Sequence, residues 1–96
     1  MSRVLVAPEA VAALARLIAT HSLPSDTPSR VRRSIEPLAR FPLLGAPLEG
    51  RWREFRFVLG PWRWMLIVYV YDDEADLVAV VTIQDGRTST AVTSGR

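Results

Sequence analysis

The chain has no cysteine, no lysine and one histidine, His21. Without cysteine there can be no disulfide and no thiolate metal site, which fits a reducing cytoplasm. His21 has no partner histidine at ligand spacing, so an imidazole metal site is not expected. The carboxylates Asp72, Asp73, Glu74 and Asp76 lack the glycine and terminal glutamate of a calcium loop. Neither Gly60-Pro61 nor Gly86-Arg87 has the spacing of a phosphate-binding glycine loop. No metal and no cofactor are therefore expected. Long apolar runs are missing too: the longest, Trp64 to Tyr71, falls far short of the roughly 20 residues needed to cross a bilayer. Met1-Ser2-Arg3 leads straight into a short apolar run and then Pro8, which is not the pattern of a secretory leader. No repeat, low-complexity tract or interdomain linker is visible. With 96 residues, 49% of them hydrophobic, one cytoplasmic domain over 1–96 with no membrane partner is the expectation.

What the chain does have is arginine. All twelve basic residues are arginines, and eight of them fall between Arg30 and Arg63 against Glu36, Glu49 and Glu54, a local net charge of +5. From Asp72 to Asp85 there are five acids and no base. Codon bias in a GC-rich genome accounts for the missing lysine but not for this separation of charge. A concentrated arginine face attracts phosphate or an acidic protein partner, because guanidinium is planar, permanently charged and forked.

Periodicity gives the elements. Arg3 to Ala7 is short, apolar and β-branched, as a strand should be, and Pro8 suits the first position of a helix. Val11, Leu14, Leu17, Ile18 and His21 then recur at helical spacing, with Arg16 pointing elsewhere and Leu23-Pro24-Ser25 closing the helix. Asp26 or Thr27, followed by Pro28, starts a second helix with Val31, Ile35 and Leu38 buried. Pro37 predicts a kink or an early end, since it removes one backbone hydrogen bond and crowds the carbonyl of Arg33. Phe41 to Gly50 reads as a loop. Arg53 to Leu59 alternates, with Phe55, Phe57 and Leu59 on one face and Glu54, Arg56 and Val58 on the other. Gly60-Pro61 is a turn, and Arg63 to Tyr71 a central strand covered on both sides. Asp72 to Asp76 is a polar connection, Leu77 to Ile83 the last strand, and the stretch after Gly86 a polar tail. The order β-α-α-β-β-β implies an α+β fold: two helices as a hairpin on one face of an antiparallel sheet, with the first strand added to it.

The segments ARFPLLG, REFRF, GPWRWMLIVYVYDD and VVTIQDGR, in this order and spacing, resemble the RelE/ParE family of toxins from bacterial type II toxin–antitoxin pairs. The likeness runs from Arg3 to about Arg87. It implies a growth-inhibiting toxin, of the kind tied to plasmid stabilisation, held silent by a cognate antitoxin. That partner should be short and acidic in its toxin-binding segment. Family activities diverge: RelE-like members cut messenger RNA on the ribosome, whereas ParE-like members poison DNA gyrase. By resemblance, Arg63 and Arg87 match phosphate-binding arginines, and Arg53 and Arg56 lie where RelE-like enzymes carry lysines or other bases.

If the chain is a ribonuclease, Arg53, Arg56, Arg63 and Arg87 supply electrostatic stabilisation, and proton transfer must come from elsewhere, because arginine does not give up its proton. RelE-like enzymes carry a tyrosine shortly after the closing arginine. Here Thr88-Ser89-Thr90-Ala91 stands instead. His21 reads as a core or surface histidine remote from the sheet face, and Tyr69 and Tyr71 as packing aromatics. Asp85, just before Gly86-Arg87, either orients an arginine or simply ends the strand, and the strand end is the favoured reading. ParE-like chains share the arginine-rich strand and the closing Gly-Arg without the full catalytic set, so the leading expectation is a ParE-like toxin that binds a macromolecular target. A RelE-like ribosome-dependent endonuclease that binds RNA, and an inactive homologue that only binds an antitoxin, are the alternatives. The target-binding surface would comprise Arg51, Arg53, Arg56, Trp62, Arg63 and Arg87. Trp64 reads as packing, and Trp52 and Trp62 as packing or as stacking platforms. An edge strand leaves a homodimer open.

Overall fold

The computed structural model describes residues 1–87. The expectations placed on the tail, including the residues that replace the family tyrosine at Thr88 to Ala91, lie outside the described residues. Strand β1 (Arg3–Val6) leads into helix α1 (Pro8–His21) and helix α2 (Thr27–Ile35), followed by β2 (Ala46–Pro47), β3 (Arg56–Leu59), β4 (Met65–Asp72) and β5 (Leu77–Asp85). The five strands form one sheet in the order β1-β5-β4-β3-β2. β1 runs parallel to β5, and every other pairing is antiparallel. No helix among the described residues is long and apolar enough to cross a membrane.

Pro8 sits in the first turn of α1 with Glu9, and the helix ends at Ser22, whose φ of 52° is left-handed. Its buried face differs from the expected stripe. Ala10, Ala13 and Leu14 are buried, while Val11 is 57% exposed. Small alanines on the inner face let the helix approach the sheet closely, and Val11 is left on the wall of a groove. In α2, Thr27 is buried and its hydroxyl donates to the carbonyl of Pro24 at 2.6 Å, while Val31 and Ile35 face the core. The α-helix stops before Pro37, and a single 3-10 turn over Glu36–Ala39 carries Leu38 inward.

Both helices cover one face of the sheet, where Leu14, Val31, Ile35 and Leu38 meet Met65, Ile67, Tyr69, Val78 and Val80. The opposite face holds a smaller cluster of Leu48, Leu66 and Val68, flanked by Phe55, Phe57 and Val81. Residues Met65 to Tyr69 of β4 are all buried, as a central strand requires. β3 begins at Arg56, three residues later than alternation suggests, because Gly50–Trp52 forms a 3-10 turn entered through Gly50 at φ 65°.

A bulge in β5 decides which way the end of that strand faces. Tyr69 pairs with Val80 and Val68 with Thr82, so Val81 is an extra residue. Val78 and Val80 face the helices before the bulge, and Ile83 does so after it. Strict alternation would turn Asp85 away from the helices. The extra residue turns it toward them.

Candidate functional site

Where β5 ends, Arg87 and His21 meet on the Asp85 carboxylate, which is only 8% exposed. Arg87, just past the strand, donates from its backbone N–H to Oδ1 at 2.9 Å, from Nε to Oδ1 at 3.0 Å and from Nη2 to Oδ2 at 2.9 Å. His21, the last residue of α1, brings Nε2 to 3.2 Å from Oδ2. The fit follows from element length. The chain leaves β1 with the Ala7 N–H bonded to Val80 O. The 14 residues of α1 then rise about 21 Å, comparable with the roughly 16 Å of strand from Val80 to Asp85. The expectation of a His21 remote from the sheet is thereby corrected, while Asp85 both ends β5 and, as in the less favoured reading, bonds an arginine.

Trp64 forms the floor of this corner. Its ring stacks on His21 at 4.8 Å between centroids, and the Arg87 guanidinium lies 4.7 Å from its centroid. Trp64 O accepts the Gly86 N–H at 2.7 Å, tying the β3–β4 turn to the end of β5. Trp62 stacks in turn at 6.2 Å, with Arg30 of α2 lying 5.7 Å from the Trp62 ring. Trp62 and Trp64 also pack against the main core, so both tryptophans pack and present a ring to a cation at once.

Asp85 and Arg87 hold each other in their charged forms. The hydrogen bond from the Arg87 side chain, opposed by burial and aided by the Arg87 N–H and by His21, holds the Asp85 carboxyl well below the usual carboxylate range. The same hydrogen bond pushes Arg87 upward. His21 Nδ1 lies 3.2 Å from Leu17 O, so both ring nitrogens face oxygens that only accept.

The residues expected at the target surface separate into two groups. Arg63 is exposed in the turn before Trp64, at the same end of the sheet as Arg87, since Met65 pairs with Asp85. Arg56 pairs with Tyr69, four residues further along β4, or about 13 Å of strand. Arg56 is half-buried and donates from Nη1 to Gly45 O at 2.7 Å and Leu43 O at 3.3 Å. Tyr69 completes that clamp: its hydroxyl donates to Pro42 O and accepts the Gly45 N–H, each at 2.8 Å. Arg51 and Arg53 are exposed beside it, Arg51 lying 5.6 Å from the Trp52 ring. Trp62, Arg63 and Arg87 thus share one end of the sheet, and Arg51, Arg53 and Arg56 do not join them. Among the described residues, no group of His, Asp and Glu is arranged to hold a metal ion.

A second feature lies on the helix side. An apolar groove of about 960 Å³ opens between α1, α2 and β1, lined by Val6, Val11, Leu14, Val31 and Ile35, with Arg32, Arg33 and Arg40 also on its wall. β1 is an edge strand, and its Leu5 is 56% exposed.

Comparison with solved structures places this architecture. The isolated Escherichia coli RelE toxin superimposes with a TM-score of 0.64 over 94% of this chain and 89% of its own, at 13% identity. The chain has the RelE fold. A chain of the toxin–antitoxin complex RelBE2 from Mycobacterium tuberculosis matches with a TM-score of 0.60 and 22% identity, over 88% of this chain and 96% of that one. A chain of the intact E. coli RelBE toxin–antitoxin complex gives 0.59 and 14% identity, over 92% of this chain and 100% of that one. No protein-family model matches the sequence, and no curated protein does. The RelE-like fold thus persists where sequence similarity has fallen to 13–22%.

Proposed function

We propose that the chain is the toxin half of a type II toxin–antitoxin pair. It arrests growth by binding a macromolecular target through Trp62, Arg63 and Arg87, with DNA gyrase, in the ParE manner, as the favoured target. The observation that supports this most is the corner itself: on a RelE fold, two exposed arginines stand at one end of the sheet beside a pair of stacked tryptophans. Binding needs charge and stacking surface, and the corner supplies both. A nuclease also needs a group that accepts a proton, and His21 is occupied on both nitrogens. The apolar groove suits the antitoxin: an amphipathic segment would bury its apolar side on Val11, Leu14 and Val31 while its acids meet Arg32, Arg33 and Arg40.

RelE-like cleavage of messenger RNA on the ribosome is the second reading. It is favoured by the similarity to RelE structures and by His21 standing next to Arg87 through Asp85. Induction of this gene without its neighbour, followed by pulse labelling of new protein and new DNA, separates the readings. Gyrase poisoning gives DNA-damage signalling with translation initially intact. Codon-biased transcript cleavage and prompt loss of translation would favour the nuclease. Unimpaired growth would mean an inactive homologue that only binds an antitoxin.

A further inference from the structure

We infer that Asp85 is a positioning residue for Arg87, fixing its guanidinium so that the outward edge forms a ready-made fork for one phosphate group. The inference rests on the reading of Arg87 as a target-binding residue and adds how it is held.

A guanidinium has two edges that can grip an oxyanion in forked fashion. One is the side edge, Nε with Nη2, and the other is the end edge, Nη1 with Nη2. Asp85 occupies the side edge completely, Oδ1 on Nε at 3.0 Å and Oδ2 on Nη2 at 2.9 Å. The two Nη1 hydrogens and the second Nη2 hydrogen remain, and the Arg87 side chain is 59% exposed. The edge left over is the one that matches phosphate with two parallel donors. The same carboxylate also accepts the Arg87 backbone N–H at 2.9 Å, so one acid sets the course of both main chain and side chain.

The carboxylate is itself restrained. His21 approaches Oδ2 from α1 and stacks on Trp64, which also lies under the guanidinium. Arg87 therefore loses little rotamer freedom when an anion arrives, which strengthens binding without adding a contact. Neutralisation of Arg87 by Asp85 works against this, and Arg63 at the same end of the sheet restores positive charge.

The test uses the full chain, labelled with 15N, and inorganic phosphate as the probe against chloride at equal ionic strength. In the wild type, the Arg87 Nε–H should give a resolved, hydrogen-bonded resonance, and phosphate should shift the Arg87 guanidinium signals saturably. Asp85→Asn should weaken that phosphate affinity about tenfold, and Asp85→Glu should recover part of it. An Asp85→Asn protein that loses stability but binds phosphate as tightly as the wild type would reduce Asp85 to a structural residue and overturn the inference. If Asp85→Asn fails to fold, the wild type still decides: phosphate that leaves the Arg87 guanidinium signals unmoved contradicts it. Growth arrest is scored separately. A wild-type chain that binds phosphate at Arg87 yet arrests nothing would remove the toxin reading and leave the role of Asp85 standing.

Discussion

Asp85 is a nearly buried acid held by an arginine and a histidine, and its stability contribution has a definite sign. Its folded-state pKa is depressed below the ordinary value of 3.8. The stabilisation is therefore fully present above that value and is lost as the pH falls from there toward the depressed folded value. The difference in thermal midpoint between wild type and Asp85→Asn should hold constant between pH 7 and pH 5, then shrink below about pH 4. A difference that persists unchanged to pH 2 would contradict the geometry. At this scale the arginines are legible in the sequence, because their chemistry and order are written in the chain. The Asp85–His21 contact is not. It depends on one extra residue in β5 and on the matched lengths of a helix and a strand, neither of which alternation reveals.

At the scale of elements, prolines and glycines tell most. Pro8 starts α1, Pro37 ends α2, and Gly60-Pro61 turns β3 into β4. The two-residue strand β2 escapes a sequence reading because Pro47 argues against a strand, and it is tolerated here on the edge of the sheet. Composition marks Pro42 to Gly45 as a loop but does not show that the loop is fixed. Arg56 and Tyr69, paired across β3 and β4, hold it through four hydrogen bonds. Gly45 is where that clamp closes: a Cβ there would lie 2.5 Å from Phe57 O and 2.8 Å from a Tyr69 ring carbon. Gly45→Ala should cost about 1–3 kcal/mol in chemical denaturation, the usual range for overpacking. An unchanged midpoint would show that the loop is free to move.

On the scale of the whole molecule, two separate surfaces stand out, the arginine–tryptophan corner and an apolar groove rimmed by Arg32, Arg33 and Arg40. The sheet end carries Arg63, Arg87 and the tryptophans, while the groove beside α1 is apolar and reached through Val11. If the first region meets the target and the second the antitoxin, they can be broken separately. Val11→Arg is a change at an exposed position. It should weaken antitoxin binding at least about tenfold in a titration, leave the fold intact, and leave growth arrest undiminished. Equal affinity for the antitoxin would place its main contact elsewhere.

In the proposed function, the arginine corner is what arrests growth. The direct measurement is pulse-labelled DNA and protein synthesis after induction of the gene alone, comparing wild type with the Arg63→Ala/Arg87→Ala double variant at matched protein levels. Arrest by the wild type and near-normal growth with the double variant, still folded and still bound by its antitoxin, is the predicted result. A double variant that arrests growth as strongly as the wild type would contradict it.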